Sequence, residues 1–140
     1  MRLDEATCRD RLGAARHAHL ATTGSDGQPR VVPVTFALVG DELVTAVDQK
    51  PKTTTRLRRL RDIAENPRVA VLADRYDDDW ARLWWVRADG VAAVETEGPA
   101  REAALAALAN RYAQYVADPP RGPVVRIRVE RWTGWSASPP

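Results

Sequence analysis

Lys50 and Lys52 stand two residues apart, and Thr53, Thr54 and Thr55 follow them. On extended backbone, positions i and i+2 share a face, so the two ammonium groups point the same way. The threonines introduce a helix whose apolar stripe is Leu57, Leu60 and Ile63-Ala64, at spacings of three and four. The amides of a first helical turn have no partner within the helix. Two cations, several hydroxyls and free amide donors around one point make a receptor for a phosphate dianion. Thr45, on the preceding strand, points into the same corner as a further donor. The blander reading is that the threonines cap a helix with a solvated basic face, and no glycine-rich phosphate fingerprint is present. The charge pattern favours the anion site: Lys50, Lys52, Arg56, Arg58, Arg59 and Arg61 run with no acid among them, whereas a solubility helix intersperses both signs.

Other reactive side chains are sparse. Cys8 is the sole cysteine, which excludes an internal disulfide and any multi-cysteine metal site. His17 and His19 share a face on an extended strand, but no third ligand at a matching spacing is apparent, so no metal is expected. Trp80, Trp84 and Trp85 flank an acidic loop containing Asp74, Asp77, Asp78 and Asp79, while Trp132 and Trp135 lie near the end. Each ring suits a core, an interface or a flat ligand. Trp84 and Trp85 fall on opposite faces of one strand, so the two are not expected to line one pocket.

These groups must be positioned by a chain of 140 residues with 44% apolar and 29% charged residues and a net charge of +2. That size and balance describe one domain over residues 1–140 with a sizeable core, not a disordered or fibrous chain. A short helix begins the domain and a loose Ser-Ala-Ser-Pro-Pro tail ends it. No apolar run approaches the roughly 18–20 residues that cross a bilayer. The first residues lack a basic stretch followed by an apolar one, so a cytoplasmic protein without membrane contact is expected.

The elements follow from periodicity and turn chemistry. Residues 4–16 read as a helix with Leu3, Ala6, Leu12 and Ala15 on one side. Strands are expected over 18–23, 30–38 and 43–47, joined by Gly24-Ser25-Asp26-Gly27 and Gly40-Asp41 as an antiparallel meander. Pro33 interrupts the second strand and so belongs at an edge, bulge or barrel corner. Asn66-Pro67 stops the basic helix, and strands over 68–73 and 82–95 follow, the latter with a bend at Asp89-Gly90. Gly98-Pro99 starts a helix with Leu105, Leu108, Tyr112 and Tyr115-Val116 on its apolar face, closed by Pro119-Pro120. Val125, Ile127 and Val129 then alternate with Arg126, Arg128 and Glu130 in the last strand. The absence of regular βα alternation disfavours a doubly wound sheet. The expected fold is mainly β with peripheral helices: a six-stranded antiparallel barrel.

The segments Arg30-Val31-Val32-Pro33-Val34-Thr35, Leu43-Val44-Thr45-Ala46-Val47-Asp48, Lys50-Pro51-Lys52-Thr53 and Asn66-Pro67-Arg68-Val69-Ala70-Val71-Leu72 resemble the pyridoxamine 5′-phosphate oxidase-related split β-barrel superfamily. Within it the chain is most similar to flavin/deazaflavin oxidoreductases of the B type. The run from Asp79-Trp80 to Asp89-Gly90 resembles a subgroup of coenzyme F420-dependent enzymes. The likeness covers about residues 16–135. It implies a homodimer of six-stranded split barrels with a flavin-like cofactor in each of two clefts at the subunit interface. Carried over by position, Thr45, Lys50, Lys52 and Thr53 match phosphate-binding positions, with Ala46 and Thr54 beside them. Val32, Pro33 and Val34 match the strand whose backbone runs beside the ring. Trp80 matches an aromatic loop position near the pocket, and Trp132 or Trp135 a C-terminal position reaching across the dimer.

The implied activity is hydride transfer between reduced coenzyme F420 and a small organic acceptor, with FMN as the alternative cofactor. Thr35 stands where pyridoxamine phosphate oxidases carry a lysine, and their basic C-terminal motif is absent, which speaks against that substrate. F420 suits the local charge, because its phosphate continues into an anionic lactyl and poly-glutamate tail that Arg56, Arg58 and Arg59 would screen. Two rivals come from other classes: a nonenzymatic cofactor or haem carrier, and a nucleic-acid module whose basic segment contacts phosphates while aromatics stack bases. Against the latter, the basic patch is one short segment on an otherwise balanced surface, and no nucleic-acid partner is expected.

Overall fold

The computed structural model describes residues 1–47 and 54–140 and, over 54–57, the helical backbone alone. Lys50, Lys52 and Thr53 thus lie outside the described residues, and Thr54 is described only as the first residue of a helix. The elements in chain order are α1 (Glu5–Ala14), β1 (Ala18–Thr23), β2 (Pro29–Val34), β3 (Ala37–Val39), β4 (Glu42–Ala46), α2 (Thr54–Glu65), β5 (Arg68–Arg75), β6 (Trp84–Glu95), α3 (Pro99–Arg111), α4 (Ala113–Ala117) and β7 (Val124–Ser136). A single 3-10 turn, Trp80–Arg82, lies between β5 and β6. Mainly β with peripheral helices is thereby the observed class.

The strand count differs from the expected six. The stretch read as one strand over 30–38 is two, β2 and β3, separated by Thr35 and Phe36. The reason is a side chain from elsewhere in the chain: the Tyr112 hydroxyl accepts from the Phe36 amide at 3.2 Å and lies 3.0 Å from the Phe36 carbonyl oxygen. That corner's backbone groups are therefore engaged by α3's end and not by a neighbouring strand.

The seven strands form one antiparallel sheet in the order β2-β1-β5-β6-β7-β4-β3. The two outermost strands are consecutive in sequence. From Val34 to Ala37 the chain takes three Cα steps, which reach about 11 Å at most. The sheet must therefore curl until its edges nearly meet, yet β2 and β3 share no ladder. The result is an open barrel split along one seam, as the resemblance implied, but with seven strands where six were expected. Pro33 sits on the edge strand β2, where a missing amide hydrogen is tolerated.

Burial alternates along β1, with Ala18, Leu20 and Thr22 inward. Inside the curl, Leu12, Leu20, Phe36, Leu43, Val71 and Ile127 are fully enclosed. A second cluster lies under α3, where Ala104, Leu108 and Tyr112 cover Ala37, Val44 and Val124. The bend expected at Asp89-Gly90 is a register shift in the β6–β7 ladder. Gly90 is needed there because a Cβ would collide with the Arg128 carbonyl oxygen. Arg126 on β7 bridges Glu42 on β4 and Glu95 on β6, and hydrogen bonds to those carboxylates raise its pKa.

Helix details depart from periodicity in physically clear ways. In α1 the buried positions are Cys8 and Leu12, while Ala6 is exposed; burial pushes the Cys8 thiol up. The helix expected to run from Pro99 through Tyr115 breaks at Tyr112, leaving α4 separate and Val116 exposed. In α2, Ile63 is buried and Leu60 partly so, but Ala64 is exposed and Asp62, at 1% exposure, is buried. Asp62 accepts from the Thr22 hydroxyl at 3.0 Å and from Arg30 at 2.9 and 3.1 Å. One turn on, Glu65 holds the Ser25 amide and hydroxyl. The hairpin and the helix approach so closely that a Cβ on Gly24 would lie 2.7 Å from both carboxylates.

This anchor generates a stability prediction. Asp62→Ala leaves the buried Thr22 hydroxyl without its partner and removes one of the two carboxylates on Arg30, which keeps Asp26; it is expected to lower the unfolding free energy by about 1–3 kcal/mol, measured as a shift in the urea midpoint at unchanged m.

Candidate functional site

The split in the barrel is also a cleft. A cavity of ≈ 310 Å³ opens at the seam, bounded by His17, Pro33, Val34, Thr35, Ala46, Arg59 and Tyr115. That volume lies at the lower end of the roughly 300–1,000 Å³ typical of small-molecule sites. Each wall comes from a different element. Pro33 and Val34 end β2, Ala46 ends β4, Arg59 stands on α2 and Tyr115 on α4. Pro33, Val34 and Ala46, expected to border a cofactor, are thus brought together.

Other expected residues are placed differently. Val32 turns inward and packs on the main core, so only its backbone belongs to the strand beside the cleft. Thr45 is buried, and its hydroxyl donates to the Thr35 carbonyl oxygen at 2.6 Å; it braces the corner and does not open onto the cleft. Trp80 is 68% exposed on the 3-10 turn and is not among the residues lining this cleft. Trp132 packs against its own core, with the Arg9 guanidinium 5.6 Å from its ring centre.

Of the cleft's polar groups, Arg59 was expected near the cofactor, but the hydroxyls were not anticipated. Thr35 Oγ1 and the Tyr115 hydroxyl are 2.7 Å apart. Tyr112, read as part of an apolar face, is buried, and its hydroxyl lies 2.9 Å from the Arg16 carbonyl oxygen as well as contacting Phe36. The Arg111 guanidinium sits over the Phe36 ring at 4.6 Å and donates to the Ala15 carbonyl. The only signal in sequence was a pair of tyrosines three apart at a helix end, which periodicity assigns to packing. His17 and His19 meet edge to face at 5.7 Å, and no metal-holding cluster occurs among the described residues. Asp26 and the Arg30 guanidinium pair at 3.0 Å, which holds the Asp26 carboxyl below its ordinary range.

A second, larger concavity of ≈ 870 Å³ covers the outward face of the sheet, with Val31, Leu72, Tyr76, Trp85 and Trp135 among its lining residues. Trp84 and Trp85 both line it, contrary to the alternation argument, because the concavity wraps the start of β6 where Leu83 and Trp84 lie. Val31 is 62% and Trp135 40% exposed, so this is an unusually apolar open face. No helix among the described residues is long and apolar enough to cross a membrane.

Comparison with known proteins agrees with this architecture. The family model for pyridoxamine 5′-phosphate oxidase matches residues 5–136. A 5a,11a-dehydrotetracycline/5a,11a-dehydrooxytetracycline reductase of Streptomyces rimosus is 36% identical over 63 residues, covering 45% of this chain and 43% of that protein; the match thus spans less than half of that relative's length. Among solved structures, the conserved hypothetical protein Rv2991 from Mycobacterium tuberculosis is 26% identical, with a TM-score of 0.73 over 96% of this chain and 86% of that one. An FAD-binding protein from Mesorhizobium loti shares the fold at 24% identity, with a TM-score of 0.72 over 96% and 95% of the two chains.

The corner that shapes the cleft can be tested directly. Tyr112→Phe leaves the buried Phe36 amide without its acceptor and is expected to cost about 1–3 kcal/mol of stability, read by chemical denaturation with the far-ultraviolet spectrum unchanged.

Proposed function

The chain belongs to the pyridoxamine 5′-phosphate oxidase family, and from that premise we propose that it is an oxidoreductase holding a flavin-class cofactor in the seam cleft. Coenzyme F420 is the first choice and FMN the second, with a small organic molecule as hydride acceptor. The observation that carries the reading is the seam cleft itself: an apolar strip of Pro33, Val34 and Ala46 faced by a few polar groups, which suits a planar ring with polar edges. Residues 50–54, with the lysine pair and threonines, are bracketed in sequence by two cleft-lining residues, Ala46 and Arg59. That bracket supports Lys50, Lys52, Thr53 and Thr54 as the phosphate anchor. The reductase activity named for the Streptomyces rimosus relative supports the reaction class, and the Mesorhizobium loti protein, described as FAD-binding, supports the cofactor class.

When bound, the reduced cofactor supplies the hydride, and solvent supplies the accompanying proton. The protein's share is placement. Pro33, Val34 and Ala46 would border the ring, the lysines would neutralise the phosphate, and the curled sheet would exclude water from one side of the ring. The open apolar face at Val31, Leu72, Trp85 and Trp135 supports a homodimer in which a second copy covers it and completes the cleft. In that dimer Trp132 or Trp135 would reach across to the partner's cleft.

Two measurements test this. Titration of the purified protein is expected to show F420 binding more tightly than FMN, and Lys52→Ala is expected to weaken either by about tenfold to a hundredfold through loss of a charged hydrogen bond. A preference for FMN selects the second cofactor; failure to bind either one overturns the reading, and binding without turnover of any acceptor leaves a carrier. For assembly, light scattering is expected to give a dimer that Trp135→Glu converts to monomer, and a monomeric wild type overturns the homodimer.

A further inference from the structure

Two hydroxyls in the seam cleft share one hydrogen bond and leave one hydrogen over. Thr35 Oγ1 and the Tyr115 hydroxyl lie 2.7 Å apart, and either can donate to the other. Both are half-buried and both line the cleft beside Pro33, Val34 and Ala46. A pair of hydroxyls carries two hydrogens, and their mutual bond uses one of them. The neighbouring backbone carbonyls each accept one hydrogen bond from another hydroxyl: Thr35 O from Thr45 at 2.6 Å, and Phe36 O from Tyr112 at 3.0 Å. Neither hydroxyl has a second protein partner among the described residues. The remaining hydrogen is therefore available where the apolar strip ends.

We propose that the Thr35–Tyr115 pair is a ligand-positioning donor, giving its second hydrogen to a carbonyl oxygen on the edge of a planar heterocycle held against Pro33 and Val34. The proposal rests on the reading that a flavin-class cofactor occupies the cleft, and it adds the group that sets the ring's orientation within its plane. The pair is well suited to this. Each hydroxyl rotates, so the chain of two can end on either oxygen, and a hydroxyl donor that a ligand covers without offering an acceptor is unfavourable. The site therefore selects against a ring that presents a hydrogen or a methyl group at that edge. Tyr115 stands on α4 and Thr35 between β2 and β3, so the donor also reports whether α4 is docked.

The test uses the double variant T35V/Y115F, which removes both hydroxyls and keeps nearly the same shape. The probes are FMN with riboflavin, and F420 with its phosphate-free deazaflavin riboside. The double variant is expected to weaken the phosphorylated and phosphate-free members of a pair by the same factor, about three- to tenfold. Lys52→Ala, in contrast, is expected to weaken only the phosphorylated member. Infrared difference spectra of the bound ring are expected to show one carbonyl stretch moving to higher frequency in the double variant, a change that a tether between α4 and the sheet would not produce. Where the double variant fails to fold, Tyr115→Phe alone is read by the same carbonyl band. Unchanged affinity with an unshifted band, in a protein whose wild type binds the probes, overturns the hydroxyl proposal and leaves the cofactor reading intact. A wild type that binds none of the four probes overturns both.

Discussion

A link of two residues between the outermost strands of a seven-stranded sheet governs the shape of the molecule. Thr35 and Phe36 must carry the chain from one sheet edge to the other, and so short a connection forces the sheet to curl upon itself. It cannot also be zipped shut. Pro33 has no amide hydrogen to offer, the Phe36 amide is held by Tyr112, and the Thr35 carbonyl is held by Thr45. A seam that must be narrow but cannot form a ladder leaves a slot with backbone, apolar side chains and a few hydroxyls along it. The cleft is a consequence of the topology.

Helix α2 completes one wall, and its rotation about its own axis is set by charge as much as by burial. Ile63 turns toward the core, while Asp62 reaches Thr22 and Arg30. Asp62, Glu65 and their hairpin partners fasten the helix's last turns to β1 and β2. With that end fixed, Arg59, one turn before Asp62 and Ile63, is brought to the cleft. The acids in α2 occupy its C-terminal half, opposite to what the helix dipole favours. Their location answers to the Arg30 contact and not to helix stability.

Much of this architecture was legible in the residues. The turns at Gly24–Gly27 and Gly40, the stop at Asn66-Pro67, the bend at Gly90 and the start at Pro99 are all local chemistry, and the structure has them. What was not legible depends on partners distant in sequence. The break between β2 and β3 is made by Tyr112, some eighty residues away and so invisible to any window on the strand. Asp62 reads as one more solvated charge until Thr22 and Arg30 are placed against it. Tyr115 looks like a core aromatic by spacing, and becomes a polar wall only because the helix breaks at Tyr112 and turns its hydroxyl toward Thr35. Of the expected site, Pro33, Val34 and Ala46 converge, because a strand edge and a strand end follow from pattern and punctuation. Thr45 does not open onto the cleft, because which way a strand residue faces depends on register.

Within this cleft, recognition divides between features common to many ligands and features that separate them. In the proposed reading, an apolar strip and a hydroxyl donor would meet a planar tricycle with carbonyl edges, and FMN and F420 share both that body and a phosphate. Neither wall therefore distinguishes the two. The difference between these molecules begins beyond the phosphate, where one ends and the other continues as an anionic tail. Among its described residues, α2 carries three cations, with Arg58 and Arg59 half-exposed and Arg61 exposed. Exposed charges of this kind contribute little one at a time, but several of one sign without intervening acids act together as a field that falls off over about 8–10 Å in physiological salt. For the cofactor proposed above, selectivity would then belong to the segment as a whole: it would tolerate a tail of variable length, and no single arginine would be indispensable to it.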